Sequence, residues 1–411
     1  MTSHTASNLH KEDVLQEHLI ESLVSTQGYI RRVGSEKSRG YAGEIHFDKP
    51  LAMDRELVIG FLKETQAESW EKLEQHYSGS AEDVLFKQLD KALKDRGLLD
   101  VLRQGLKIVP GIPFLFCYFR PASGLEPKRI AEYQANILSV MDEVVYSQKH
   151  GNRIDVVLFL NGLPVATIEA KNLLTGTTFK HAEKQYRTDR SPANEPLLTF
   201  KRGALVHFAI DEDNVSMTTR LQNGKTRFLP FNRGRDGGAG NPDVEGEHRI
   251  AYLYGDGDWG SAIFSRSVLI DIIGQFMTLE VSGKNEVLIF PRFQQLDAVR
   301  KVMTHARANG AGQNYLVQHS AGSGKSNTIG WLAHHAINLH DADDAQVFHT
   351  AIIVTDRIVL DRQLQSTVSQ FEQTQGVVKK IDGTSRQLKD AIAKGARIIV
   401  TTIQKFSTDH L

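Results

Sequence analysis

One short stretch holds three residues of the types that hydrolyse a phosphodiester. In RIDVVLFLNGLPVATIEAKN, residues 153–172, Asp155 stands near the start of one apolar run, and Glu169 and Lys171 near the end of the next. The Asn161-Gly162 dipeptide between the runs is a strong hairpin signal. Folding about it sets Asp155 opposite residues near 168–170, and puts Glu169 and Lys171 on one face of their strand. Hard carboxylate oxygens suit Mg²⁺, which generates an attacking hydroxide and offsets phosphodiester charge. A nearby ammonium positions the water or stabilises the developing charge. The competing reading is a cross-strand ion pair at a solvated sheet end, and the spacing alone does not separate the two.

A second stretch, HSAGSGKS (319–326), lies between the apolar run YLV and the helix-like NTIGWLAHHAINL. Gly322, Ser323 and Gly324 are small enough for backbone N–H groups to wrap phosphates. Lys325 would reach the β- and γ-phosphates of ATP, and the Ser326 hydroxyl would ligate Mg²⁺. The strict pattern asks for glycine at 319 and finds His319, a position where helicase-type ATPases vary.

These sites need scaffolds of two kinds. Leu15, Leu19 and Leu23, with Ile20 and Val24, predict a helix from Asp13 that Gly28 ends, after a disordered start over 1–10. Two short helices broken at Gly97 follow over 82–104, then β-branched runs from about 140 to 232. This first part reads as α+β. The Gly-rich stretch 231–247 reads as a connector, or a loop crossing between domains. SVLIDIIGQFMTL (267–279) reads as a helix. From about 286 strands and helices alternate, with NYLVQ, TAIIVTD and RIIVTT as strands, which argues for a parallel α/β sheet. The expected division is 1–245 and 246–411.

The 49 basic and 49 acidic side chains cancel, so net charge argues neither for nor against nucleic acid. The single cysteine, Cys117, excludes an intrachain disulfide and sits in PFLFCYF, where a small core residue is the simpler reading than a nucleophile. No secretory leader and no apolar run of membrane-span length are present, which predicts a cytoplasmic protein with no membrane contact.

Taken together, the motifs resemble the restriction (R, motor) subunit of Type I restriction-modification enzymes. The hairpin is similar to that family's PD-(D/E)xK nuclease motif, with Ile154 where proline is common. LPFNRGRDGGAGNP (229–242) and the helical start QEHLIESLVSTQGY (16–29) also resemble the family. PRFQQLDAV (291–299) resembles the Q motif of superfamily 2 helicases, IIVTDRIVLDRQL (352–364) motif Ia, and IIVTTIQKF (398–406) motif Ib. The resemblance implies a restriction-endonuclease-like α+β domain followed by a first RecA-like lobe. It implies Gln295 as adenine ligand, and DNA-backbone contacts from Thr355, Arg357, Thr402 and Gln404. It also implies Glu17 as an added carboxylate from the N-terminal helix.

In the family the helix after the lysine carries QxxxY; here KHAEKQYRTDR supplies Gln185, with Asp189 at the tyrosine position and Tyr186 adjacent. ATP, Mg²⁺, double-stranded DNA, and modification (M) and specificity (S) subunits are the implied cofactors and partners. No DEAH box follows motif Ib, which reads as an N-terminal piece that binds ATP but needs further parts to hydrolyse it. Two other readings stay open from sequence: a DNA translocase or helicase whose first domain binds DNA without cutting, and a nucleotide-binding assembly module.

Overall fold

The structure, a computed structural model, describes residues 4–236, 238–255, 262–283, 285–356, 364–365, 367–369, 377–381 and 385–406. It forms two compact units. The first comprises Met1–Arg120, Lys128–Gly274 and Gly283–Phe290; the second comprises Pro121–Pro127, Gln275–Ser282 and Pro291–Leu411.

The first unit is built on a seven-stranded mixed sheet. Its strands are β1 (Ile30–Val33), β2 (Leu138–Val145), β3 (Arg153–Leu160), β4 (Leu163–Ala170), β5 (Val206–Ile210), β6 (Val215–Thr218) and β7 (Leu229–Pro230), in that spatial order. The pairs β1–β2 and β4–β5 are parallel and the remaining pairs antiparallel. Helix α1 (His4–Ser25) precedes the sheet, and α2 (Phe179–Thr188) lies between β4 and β5. The helical range begins at His4, so residues 4–10 are helix where composition suggests a disordered start.

The central hairpin β3–β4 turns at Asn161 (φ 52°) and Gly162 (φ 81°), the left-handed pair that a type I′ turn requires. The turn is buried: Asn161 Nδ2 donates to Phe116 O at 2.9 Å, and its Oδ1 accepts from Ile137 N at 2.6 Å. Every residue of β4 is buried, so both faces need a cover. On one face Val157 and Phe159 pack with Ala182 and Tyr186 of α2. On the other, Phe208 meets Phe231, Phe264 and Phe290 edge to face.

That second cover explains where the unit ends. Residues 246–255 and 262–274 belong with the sheet unit, past the division expected at 245/246. Phe264 belongs to the aromatic cluster, and Tyr252 donates its hydroxyl to Phe231 O at 2.7 Å. The Gly-rich stretch before it is likewise tied down, through Asn241, whose Oδ1 accepts from Arg233 N at 2.6 Å and whose Nδ2 donates to Asp213 O at 2.7 Å. The expected helix over 267–279 is shorter. It runs Arg266–Asp271, widens to a π turn over Ile272–Phe276, and gives way to a strand at Thr278–Ser282.

The second unit holds α3 (Phe293–Asn309), α4 (Lys325–Ala336), and a three-stranded parallel sheet of β8 (Ala351–Thr355), β9 (Val378–Lys380) and β10 (Ile398–Thr402), with β10 central. The expected strand NYLVQ before the glycine loop does not form. A strand needs a ladder partner. Among the described residues none pairs with 314–318, and Leu316 is 91% exposed. Among those residues, too, no helix is long and apolar enough to cross a membrane.

Candidate active site

The hairpin closes at its turn and opens toward a cleft of about 310 Å³ lined by Asp155, Lys171, Glu143, Gln16, Gln185 and Arg190, among others. Val156 pairs with Ile168, so Asp155 and Glu169 meet one step further along the ladder. Asp155 Oδ2 accepts from Ala170 N at 2.9 Å, which fixes the carboxylate at the strand end. Glu169 is fully buried; its Oε1 accepts from Arg190 Nε at 2.7 Å, while Oε2 has no hydrogen-bond partner among the described residues. Burial, and next the charge of Asp155, push the Glu169 carboxyl well above the usual range, against the pull of Arg190 and Lys171.

Glu143, Gln16 and Arg190 complete the cleft, and nothing in the local sequence marks them. β2 pairs with β3 so that Asp142 faces Val156 and Val144 faces Ile154, which sets Glu143 across from Asp155. Glu143 has a left-handed backbone (φ 50°) in mid-strand, held by Ser35 Oγ donating to its carbonyl at 2.5 Å. Its carboxyl pairs with Arg153, and burial followed by the Asp155 charge raises its pKa. Gln16 donates to Asp155 O at 2.9 Å and lies 3.4 Å from Glu143 Oε1.

Gln16 takes the place expected of its neighbour Glu17. On a helix adjacent residues point about 100° apart, and Glu17 turns instead into a two-arginine clamp, 2.8 Å from Arg31 and 3.0 Å from Arg39. Gln185 does line the cleft. Tyr186 does not: its hydroxyl is 2.8 Å from Thr167 Oγ1, which is 2.7 Å from His207 Nδ1, all in the core. Burial lowers His207 to about 3, so this ring is neutral. Cys117 is a buried core residue whose thiol pKa burial raises.

These donors fit a divalent cation. An unpartnered buried carboxylate oxygen beside a second carboxylate is a place short of positive charge. Mg²⁺ needs only one or two carboxylates and keeps its other ligands as water. Among the described residues, three ligand atoms come within 4.8 Å of one another at Glu44, His46 and Glu56. That group is already committed, since His46 Nδ1 accepts from Val33 N and Glu56 pairs with Arg32.

In the second unit, Gly322 (φ 74°) and Gly324 (φ 82°) shape the loop ahead of α4. A Cβ on Gly324 would lie 2.4 Å from Gln295 Nε2. Lys325 Nζ donates to the loop carbonyls of His319 and Ser320, both at 3.1 Å. Gln295 is not open to a base. It is 3% exposed, donates to Ser323 O and Gly324 O at 3.1 and 2.9 Å, and accepts from Arg292 N. Ser326 is half-buried in the first turn of α4. Thr355 and Thr402 are paired across β8 and β10 at their C-terminal ends, where parallel sheets bind ligands. Gln404 follows on the surface, donating to Asp356 O at 3.1 Å. Arg357 lies outside the described residues.

The family model for the N terminus of the Type I restriction enzyme R protein matches residues 10–226, just over half of the chain. The chain belongs to this family. A second model, the SWI2/SNF2 ATPase, matches residues 294–410, which takes in Gln295, the glycine loop and the three parallel strands. Among related proteins, the Type I restriction enzyme HindI endonuclease subunit of Haemophilus influenzae is 24% identical over 424 residues, covering 97% of this chain and 37% of the relative. The SsaAORF53P endonuclease subunit of Staphylococcus saprophyticus is 24% identical over 66% of this chain and 26% of its own length. The chain thus spans about a third of the length of the relatives it matches, or less. The R-protein match covers α1 from residue 10 onward, the hairpin and α2, and so every residue of the cleft.

Proposed function

We propose that this chain supplies the nuclease site and the first ATPase lobe of the motor subunit of an ATP-dependent Type I restriction endonuclease. The observation that carries the reading is the meeting of Asp155, Glu169 and Lys171 at one end of the hairpin, with a buried Glu169 oxygen left unpartnered. On this reading the subunit acts in the cytoplasm on double-stranded DNA, with modification and specificity subunits as partners, and uses ATP and Mg²⁺. It translocates DNA with its ATPase and cuts it at the hairpin.

Asp155 and Glu169 are the residues to hold Mg²⁺, which when bound supplies an activated water and offsets phosphate charge. The chain's own groups do the rest. The Lys171 ammonium stabilises the negative charge that develops on the phosphate oxygens. The Gln185 amide, on the facing wall, orients water or phosphate by hydrogen bonding. Lys325 and the N–H groups ahead of α4 take the ATP phosphates, with Ser326 toward its Mg²⁺. Thr355, Thr402 and Gln404 take DNA phosphates on this reading, without reading sequence. The endonuclease domain is the sheet unit and the RecA-like lobe is the unit around α4.

The test is calorimetric titration of Mn²⁺ into the chain with a short duplex present, on wild type and Asp155→Ala. Binding by wild type that the variant loses supports the site. Identical titrations reject it and leave a translocase whose first domain only binds DNA. Lys325→Ala should weaken a fluorescent ATP analogue at least tenfold without touching Mn²⁺ binding at the hairpin.

A further inference from the structure

One buried group beside the carboxylates has no role so far. Arg190 follows α2 by two residues, with its side chain 8% exposed. It reaches Glu169 through Nε alone and takes only Oε1. Arg–carboxylate pairs are frequently bidentate, with two parallel N–H···O bonds that occupy both oxygens. Here the contact is side-on and single, and Oε2 is left without a hydrogen bond. Where the sequence departs from QxxxY, with aspartate at 189, the next residue turns back to the carboxylate.

We propose that Arg190 is a positioning residue for the metal site: it fixes Glu169 by one oxygen so that the other faces the cation, and it stays in place when the cation binds. This rests on the nuclease reading above and adds to it the residue that orients the buried ligand. The charge pattern agrees. Asp155 and Glu169 are two carboxyl groups at one strand end, and Arg190 is the cation bonded to the buried one. Without it, Glu169 would lose its hydrogen-bonded cation and be free to change rotamer.

Two measurements on the 411-residue chain test this. In the first, Mn²⁺ is titrated calorimetrically into wild type, Arg190→Gln, Arg190→Lys and Asp155→Asn. Arg190→Gln should bind at least tenfold more weakly, and Arg190→Lys, which keeps the charge, within threefold of wild type. Binding by Arg190→Gln equal to or tighter than wild type overturns the proposal, tighter binding meaning that Arg190 competes with the cation. Wild-type binding that Asp155→Asn does not change sinks the underlying nuclease reading instead, so the two failures are distinct. The second measurement needs no glutamine variant to fold. In [¹⁵N]arginine-labelled wild type, with the Arg190 signal assigned through Arg190→Lys, the hydrogen-bonded Nε–H resonance should persist when Mg²⁺ is added. Its disappearance on Mg²⁺ addition would show that the cation displaces Arg190.

Discussion

Replacing Asp155 with asparagine should strengthen the metal-free hairpin while abolishing its metal binding. Asp155 and Glu169 lie across the ladder from each other, and cross-strand Cβ atoms are about 5 Å apart. Two full charges at roughly 5.5 Å repel by about 3 kcal/mol at an effective dielectric of 20. Arg190 and Lys171 offset part of this, which leaves a net repulsion on the order of 1–2 kcal/mol. Asparagine keeps an acceptor for the Ala170 N–H that Asp155 Oδ2 now takes, so little is lost.

The pH dependence has a definite sign. Burial, then Asp155, raises the Glu169 pKa in the folded state. The folded protein therefore holds its proton to higher pH than the unfolded chain, and stability falls as pH rises above the unfolded value. Asp155→Asn removes part of that fall. The two proteins should be alike near pH 4 and diverge toward pH 8, with the variant more stable. Hydrogen–deuterium exchange of the 153–172 segment in EDTA reads the local opening free energy directly. With Mn²⁺ present the order should reverse, because only wild type gains binding energy. A variant that opens more readily than wild type at pH 8 in EDTA would refute the reasoning, as would a difference that does not shrink in acid.

Other expectations concern the scaffold. Gly162→Ala should destabilise the sheet unit by about 2–4 kcal/mol, read by urea denaturation. Its φ is 81° and a Cβ there would lie 2.4 Å from Asp54 O. Tyr186→Phe should cost about 1 kcal/mol for one buried hydrogen bond and leave Mn²⁺ affinity unchanged, since the hydroxyl is bonded to Thr167 in the core. Glu17→Gln should likewise leave Mn²⁺ affinity unchanged in the same calorimetry, because its partners are Arg31 and Arg39.

What the sequence made legible is what local rules determine. The Asn161-Gly162 turn starts the pairing at Leu160–Leu163, and counting from it brings Asp155 to the neighbourhood of 168–170; it is a register shift between Leu158 and Phe159, which counting does not supply, that sets Glu169 rather than Ile168 opposite it. Thr355 and Thr402 each close a β-branched run, and parallel pairing brings such ends together. Glu143 was beyond reach because its place depends on a separate strand pairing across the intervening loop, and its backbone conformation is one that few non-glycine residues adopt. Arg190 lies past the end of a helix, where no periodicity fixes a direction. Gln16 and Glu17 are neighbours with similar side chains, and only the packing angle of α1 decides between them. NYLVQ has the composition of a strand, yet composition cannot supply a partner for it.

The unpartnered oxygen of Glu169 has a consequence for descent. On the proposed nuclease reading, a carboxylate pair under stress without its cation would make loss of cutting energetically downhill. One base change turns an aspartate codon into an asparagine codon, and at position 155 that change would relax the hairpin while silencing it. Such a change would leave a quieter, sturdier copy with the fold intact. On the proposed nuclease reading, a lineage that kept both Asp155 and Glu169 would do so against that slope.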